Sequence, residues 1–95
     1  MSEANNQGTG FVTLYSVEVR VTPRAGILDP QGKAVNSALH SLEFAEVDEV
    51  RVGRLVRMRV RAGDEDEARR KVDEMCRKLL ANPVTEDYEI AVGGR

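Results

Sequence analysis

Few side chains in this 95-residue chain have the chemistry of a catalyst, and their spacing keeps them apart. There is one histidine, His40, and one cysteine, Cys76. They fall on different predicted helices, and Cys76 lies on an apolar stripe, where a thiol packs as a small hydrophobe rather than serving as a nucleophile. No CxxC and no paired histidines offer a metal ligand set, and Asp64-Glu65-Asp66-Glu67 lacks the spacing of a calcium loop. Those four acids read as the start of a helix, where negative charge suits the macrodipole. The loop from Pro23 to Gly32 contains only Gly26 and Gly32, too few glycines to cradle a phosphate. No catalytic residue, no metal and no cofactor of its own are expected for this chain. The remaining chemistry is recognition: Arg57, Arg59 and Arg61 alternate along one segment with no aromatic beside them. Stacking on bases needs aromatics, so an RNA-binding sheet is disfavoured. A fork of guanidinium groups fits carboxylates at a protein contact.

The bulk properties point the same way. A formal charge of −2 gives no electrostatic case for nucleic acid or anionic membrane. Of 14 basic residues 11 are arginine, which favours fixed polar contacts. A lone cysteine excludes an intramolecular disulfide and suits a reducing cytoplasm. No apolar run approaches the ~20 residues that span a bilayer. One soluble cytoplasmic domain is expected, over residues 11–92, between a flexible tail at 1–10 and a frayed end at 93–95.

The elements that must hold these residues are legible in the periodicity. Val12 to Val21 alternates, with Tyr15, Val17, Val19 and Val21 on one face and Leu14, Ser16, Glu18 and Arg20 on the other. Asp29 and Pro30 open a helix running to about Leu42, with Val35, Ala38, Leu39 and Leu42 as its buried face. Val47–Val52 and Leu55–Val60 read as two strands joined in a hairpin at Gly53-Arg54, where Gly53 supplies a positive φ. Asp64 caps a second helix, with Glu67 completing a capping box and Ala68, Val72, Met75, Cys76 and Leu79 as its stripe. Asn82 leaves that helix in a left-handed conformation and Pro83 blocks its continuation. Tyr88, Ile90 and Val92 form a last strand. The order βαββαβ predicts an α+β, ferredoxin-like fold: a four-stranded antiparallel sheet with two helices on one face. The first strand and the Leu55–Val60 strand should lie side by side, bringing Glu18 and Arg20 near Arg57 and Arg59.

Three segments carry a more specific signal: Leu28-Asp29-Pro30-Gln31-Gly32-Lys33-Ala34-Val35, Val50-Arg51-Val52-Gly53-Arg54, and Cys76-Arg77-Lys78-Leu79-Leu80-Ala81-Asn82-Pro83-Val84 with Glu86, Asp87 and Tyr88. In this order and at this length the chain resembles the PurS family, the small subunits of phosphoribosylformylglycinamidine synthase (formylglycinamide ribonucleotide amidotransferase). The resemblance implies a non-catalytic subunit of a glutamine-dependent, ATP-consuming ligase of de novo purine biosynthesis. It implies PurL and PurQ as partners, bridged to support ammonia transfer, and self-association as a dimer or tetramer. The complex would use ATP, magnesium and glutamine. The chain departs from the family pattern at Phe44, where glycine is common, at Arg54, often lysine, and in the arginines of the Leu55–Val60 strand.

Interface candidates are Gln31, Gly32, Arg51, Gly53, Arg57 and Arg59, with Asp29, Pro30, Asn82 and Pro83 as structural motif residues. Gly32 has two readings, a close approach by another chain or a packing need within the domain. The other function considered is a regulatory module of the ACT type, which shares the element order and binds amino acids between paired domains; a glycine-rich first loop would favour it, and only Gly26 is present.

Overall fold

The structure, a computed structural model, describes residues 12–93. The expected tail at 1–10 and the last two residues lie outside that range, while Gly93 ends a strand. Three strands, β1 (Thr13–Pro23), β2 (Arg54–Ala62) and β3 (Glu86–Gly93), form an antiparallel sheet in the order β2-β1-β3. Two helices intervene: α1 (Pro30–Ser41) between β1 and β2, and α2 (Glu65–Met75) between β2 and β3. The chain continues from α2 through one wide π turn at Cys76–Leu80.

Register follows the alternation. Val17, Val19 and Val21 oppose Met58, Val56 and Arg54 on one side and Val92, Ile90 and Tyr88 on the other. This is the face that α2 covers with Ala68 and Val72, and all three valines are buried. The π turn extends the coverage: Ala81 N–H bonds to the Cys76 carbonyl five residues back, and both residues are buried in the same core. The opposite face of the sheet is open.

Two expectations fail here. The sheet has three strands rather than four, because Val47–Val52 makes no ladder. The groups at its two ends meet α1 instead. Val52 N–H donates to Asp29 Oδ2 (3.0 Å) at the helix start, and the Val47 carbonyl meets His40 Nε2 (2.8 Å) near its end. The segment therefore runs alongside α1, tied to it at both ends. The hairpin at Gly53-Arg54 is absent for the same reason.

The second failure concerns α1, which does not cover the sheet beside α2. Only Gly32 of its residues is buried, and Val35 and Leu42 of its predicted apolar face stay exposed, Leu42 at 66%. Helix and escort segment project from the sheet, giving the molecule extents of 59 × 25 × 21 Å. The ferredoxin-like layer arrangement is thus incomplete within one chain.

Candidate partner-docking surfaces

The corner where the projecting arm meets the sheet is built around Asp29. Pro30 begins α1 with a preset φ and no N–H to strand, and Asp29 caps it by accepting Gly32 N–H at Oδ1 (3.1 Å). Its second oxygen holds Val52, so one carboxylate fixes the helix start and the returning chain together. Gly32 is needed because a Cβ there would collide with the Val50 carbonyl and the Asp29 carboxylate. Packing within the domain thus requires this glycine. Gly53 has a similar reason rather than a positive φ: a Cβ would strike the Val21 carbonyl and Thr22 at the end of β1.

Arg51 and Gln31 flank this corner. Arg51 Nη1 donates to the Pro23 carbonyl (3.2 Å) and its Nε lies 3.8 Å from Glu49, so the guanidinium is half engaged within the chain. Gln31 is exposed and lines a shallow depression of about 280 Å³ shared with Asp29, Gly53 and Arg54. The corner therefore gathers Asp29, Pro30, Gln31, Gly32, Arg51 and Gly53, which the sequence had in two separate segments.

Arg57 and Arg59 sit elsewhere, on the open face of the sheet. Arg57 Nε bonds Glu18 (3.1 Å), its cross-strand neighbour in the register, as expected. Arg20 lies opposite Leu55 and leans to Glu18 at 3.7 Å. Arg59 faces Ser16, which faces Gly93 in turn, so small residues floor a depression of about 860 Å³ beside it.

The α2 end differs from expectation in chemistry but not in place. Asn82 does not turn left-handed; Ala81 before it is extended at φ −134°, ψ 151°. Instead Asn82 Oδ1 accepts Val84 N–H (2.9 Å), and its carbonyl accepts the N–H groups of Thr85 and Glu86. This is an Asx turn, a form in which asparagine competes with helix continuation. Among the described residues the non-glycine residue in the left-handed region is Glu43 at φ 74°, after α1. Its N–H bonds the His40 carbonyl and that of Phe44 bonds Leu39, the paired bonds of a Schellman closure.

Arg54 plays a part that sequence reasoning assigned only to a turn. Its guanidinium grips Glu86 with two bonds of 3.0 Å and the Leu80 carbonyl with a third of 2.6 Å. It joins β2, β3 and the π turn, and its fork requires arginine rather than lysine. The pairing raises the Arg54 pKa and, together with Asn82 N–H, holds Glu86 below the usual carboxylate range. The signal available in the sequence was its in-phase position with Val56 and Met58, which places it on the helix side of the sheet. Two further groups are tuned nearby. Tyr88 Oη donates to Asp73 (2.5 Å), which raises its pKa, and burial followed by the Asp73 charge raises that of Cys76. Cys76 is thus a buried, poorly ionised thiol, as its place on the apolar stripe suggested. Among the described residues no group of three His, Cys, Asp or Glu side chains could hold a metal ion, and no helix is long and apolar enough to cross a membrane.

A small α+β sheet with one face covered, one face open and a helical arm projecting unpacked defines a class: subunits whose surfaces are completed by other chains. The family model for PurS, phosphoribosylformylglycinamidine (FGAM) synthase, matches residues 16–94. The Bacillus subtilis synthase subunit PurS is 46% identical over 79 residues, covering 83% of this chain and 93% of that one. That of Methanocaldococcus jannaschii is 38% identical, covering 83% and 95%. Among solved structures, the Thermotoga maritima PurS subunit superposes with a TM-score of 0.79 at 26% identity, over 92% of this chain and 100% of that one. A chain from the Thermotoga maritima PurLQS structure gives 0.76 at 29% identity, over 84% and 98%. The chain belongs to the PurS family, the subunits of phosphoribosylformylglycinamidine synthase in purine biosynthesis.

Proposed function

We propose that this chain acts in phosphoribosylformylglycinamidine synthase as a non-catalytic bridge between the glutaminase PurQ and the synthetase PurL. In this role it keeps ammonia released by one from crossing bulk solvent before use by the other. The observation that carries the reading is the unsatisfied arm: Leu28, Val35, Leu42 and Phe44 expose apolar surface around α1 that no part of the described chain covers. Exposed apolar surface of this kind marks an assembly site. The likeness to a chain of the Thermotoga maritima PurLQS structure supports the choice of partners. A second copy of the chain suits the arm as a first occupant, giving a dimer or a tetramer in which an α1 covers what α2 leaves bare. ATP, magnesium and glutamine are handled by the other subunits, and the chain binds no cofactor. Its place of work is the cytoplasm. Gln31 and Arg51 are the corner residues offered to a partner, because each keeps polar capacity at the surface.

The test is glutamine-dependent formation of formylglycinamidine ribonucleotide by cognate PurL and PurQ, with and without the chain, beside a run with a high concentration of ammonium salt. Activity with glutamine only in the presence of the chain, and with ammonium regardless, is the expected result. No effect of the chain in either run would overturn the reading.

A further inference from the structure

We propose that the outer edge of β2 is a strand-addition site for a partner protein whose strand carries carboxylates at alternate positions. The inference deepens the assembly reading and rests on it, naming the chemistry of one contact. β1 is paired on both sides, so β2 and β3 are the two edges of the sheet. They are not equivalent. Arg69 reaches from α2 to the Ile90 carbonyl (3.0 Å), placing a guanidinium at the middle of β3. Natural sheets block edges with such charged groups. No backbone group of β2 is bonded on its outer side among the described residues.

The open-face row of β2 chooses the occupant. Arg57, Arg59 and Arg61 stand at alternate positions, about 6.7 Å apart along a strand. Glu18 pairs with Arg57, while Arg59 and Arg61 face Ser16 and Leu14 and have no acidic partner among the described residues. An added strand with Asp or Glu at every second residue sets its carboxylates against this row, and opposite charges across a strand pair are stabilising. A second copy fits poorly. Antiparallel β2–β2 pairing would put both arginine rows on one face, like charge against like. The chain's own β3 does carry Asp87 and Glu89 on the open face, but its edge is the one Arg69 obstructs. The occupant is therefore a strand of a different protein.

Amide hydrogen exchange on the chain alone and in its assembly with cognate PurL and PurQ tests this. Slowed exchange along Arg54–Ala62 on assembly is expected, together with an affinity loss of about tenfold or more in R59E/R61E, a double variant at exposed side chains whose circular dichroism should match wild type. In parallel, a peptide alternating Val and Glu over the nine residues of β2 should bind the free chain with an affinity that falls with salt, whereas a Val-Lys peptide should not. New protection on β3 alone, or assembly indifferent to R59E/R61E, would overturn the edge assignment and leave the assembly reading standing. If the wild-type chain fails to assemble, the assembly reading falls, and the peptide alone then decides the edge: no binding of the Val-Glu peptide overturns it.

Discussion

At the scale of single residues, Asp29 shows how one side chain can do two jobs that look unrelated in sequence. One oxygen caps α1 and the other holds Val52, twenty-three residues on. Gly32 is the space that makes this possible. Gly32→Ala should cost about 1–3 kcal/mol, the range for forcing an extra methyl into a filled site, and urea denaturation would measure it; an unchanged midpoint would refute the collision. Glu43 gives the opposite case. A side chain in the left-handed region costs about 1–2 kcal/mol, partly offset by the entropy glycine loses on folding. Glu43→Gly should therefore stabilise the chain by about 0.5–1 kcal/mol, seen as a higher thermal midpoint. The helix is closed by a glutamate here while Phe44, the departure noted from the family pattern, supplies the second bond of the closure.

At the scale of elements, the Arg54–Glu86 fork decides how the start of β2 meets the start of β3. Arg54 is half exposed, so solvent screening limits its contribution; Arg54→Ala should lose about 1 kcal/mol, below the range for hydrogen bonds to charged groups and at the top of that for exposed ion pairs. The sign with pH is fixed by the depressed Glu86 pKa. Its contribution is whole above the unfolded carboxylate value of about 4.3 and is lost as pH falls through the lower folded value. Denaturation midpoints across that acidic window should drop more steeply for the wild type than for Glu86→Gln, and parallel curves would show that the fork contributes nothing. The element that misled sequence reasoning was Val47–Val52. Valines at 47, 50 and 52 suit a strand, but Asp29 and His40 hold the two ends of this segment against α1.

At the scale of the whole molecule, the arm is the dominant feature. Leu42 packs little within its own chain, so Leu42→Asp should leave folding nearly unchanged, within about 0.5 kcal/mol as for ordinary surface sites. The same change should weaken self-association, read by sedimentation velocity as a shift toward monomer. A variant that unfolds, or one that associates like wild type, would remove the arm from the interface. The open sheet face and the arm lie on different parts of an elongated body, so a subunit of this shape can touch several chains at once.

What the sequence determined by itself was everything governed by near neighbours. Alternation around Val17, Val19 and Val21 set the core face of β1; Asp29-Pro30 and Asp64 with Glu67 set the helix starts; and of the stripe, Ala68, Val72 and Cys76 are buried by α2 and the π turn while Met75 and Leu79 stay exposed. These depend on hydrophobic period and on side chains capping backbone groups a few residues away. The family resemblance was legible as well, since it rests on the order of short motifs. The open-face pairing of Glu18 with Arg57 followed once β1 and the Leu55–Val60 strand were taken as neighbours. Only the tertiary structure decided where Val47–Val52 goes, why Gly53 must be glycine, what Arg54 grips, and that α1 stands off the sheet. Each of those turns on which groups meet across long stretches of chain. An apolar helix face reads the same in sequence whether its own sheet or another molecule is meant to cover it.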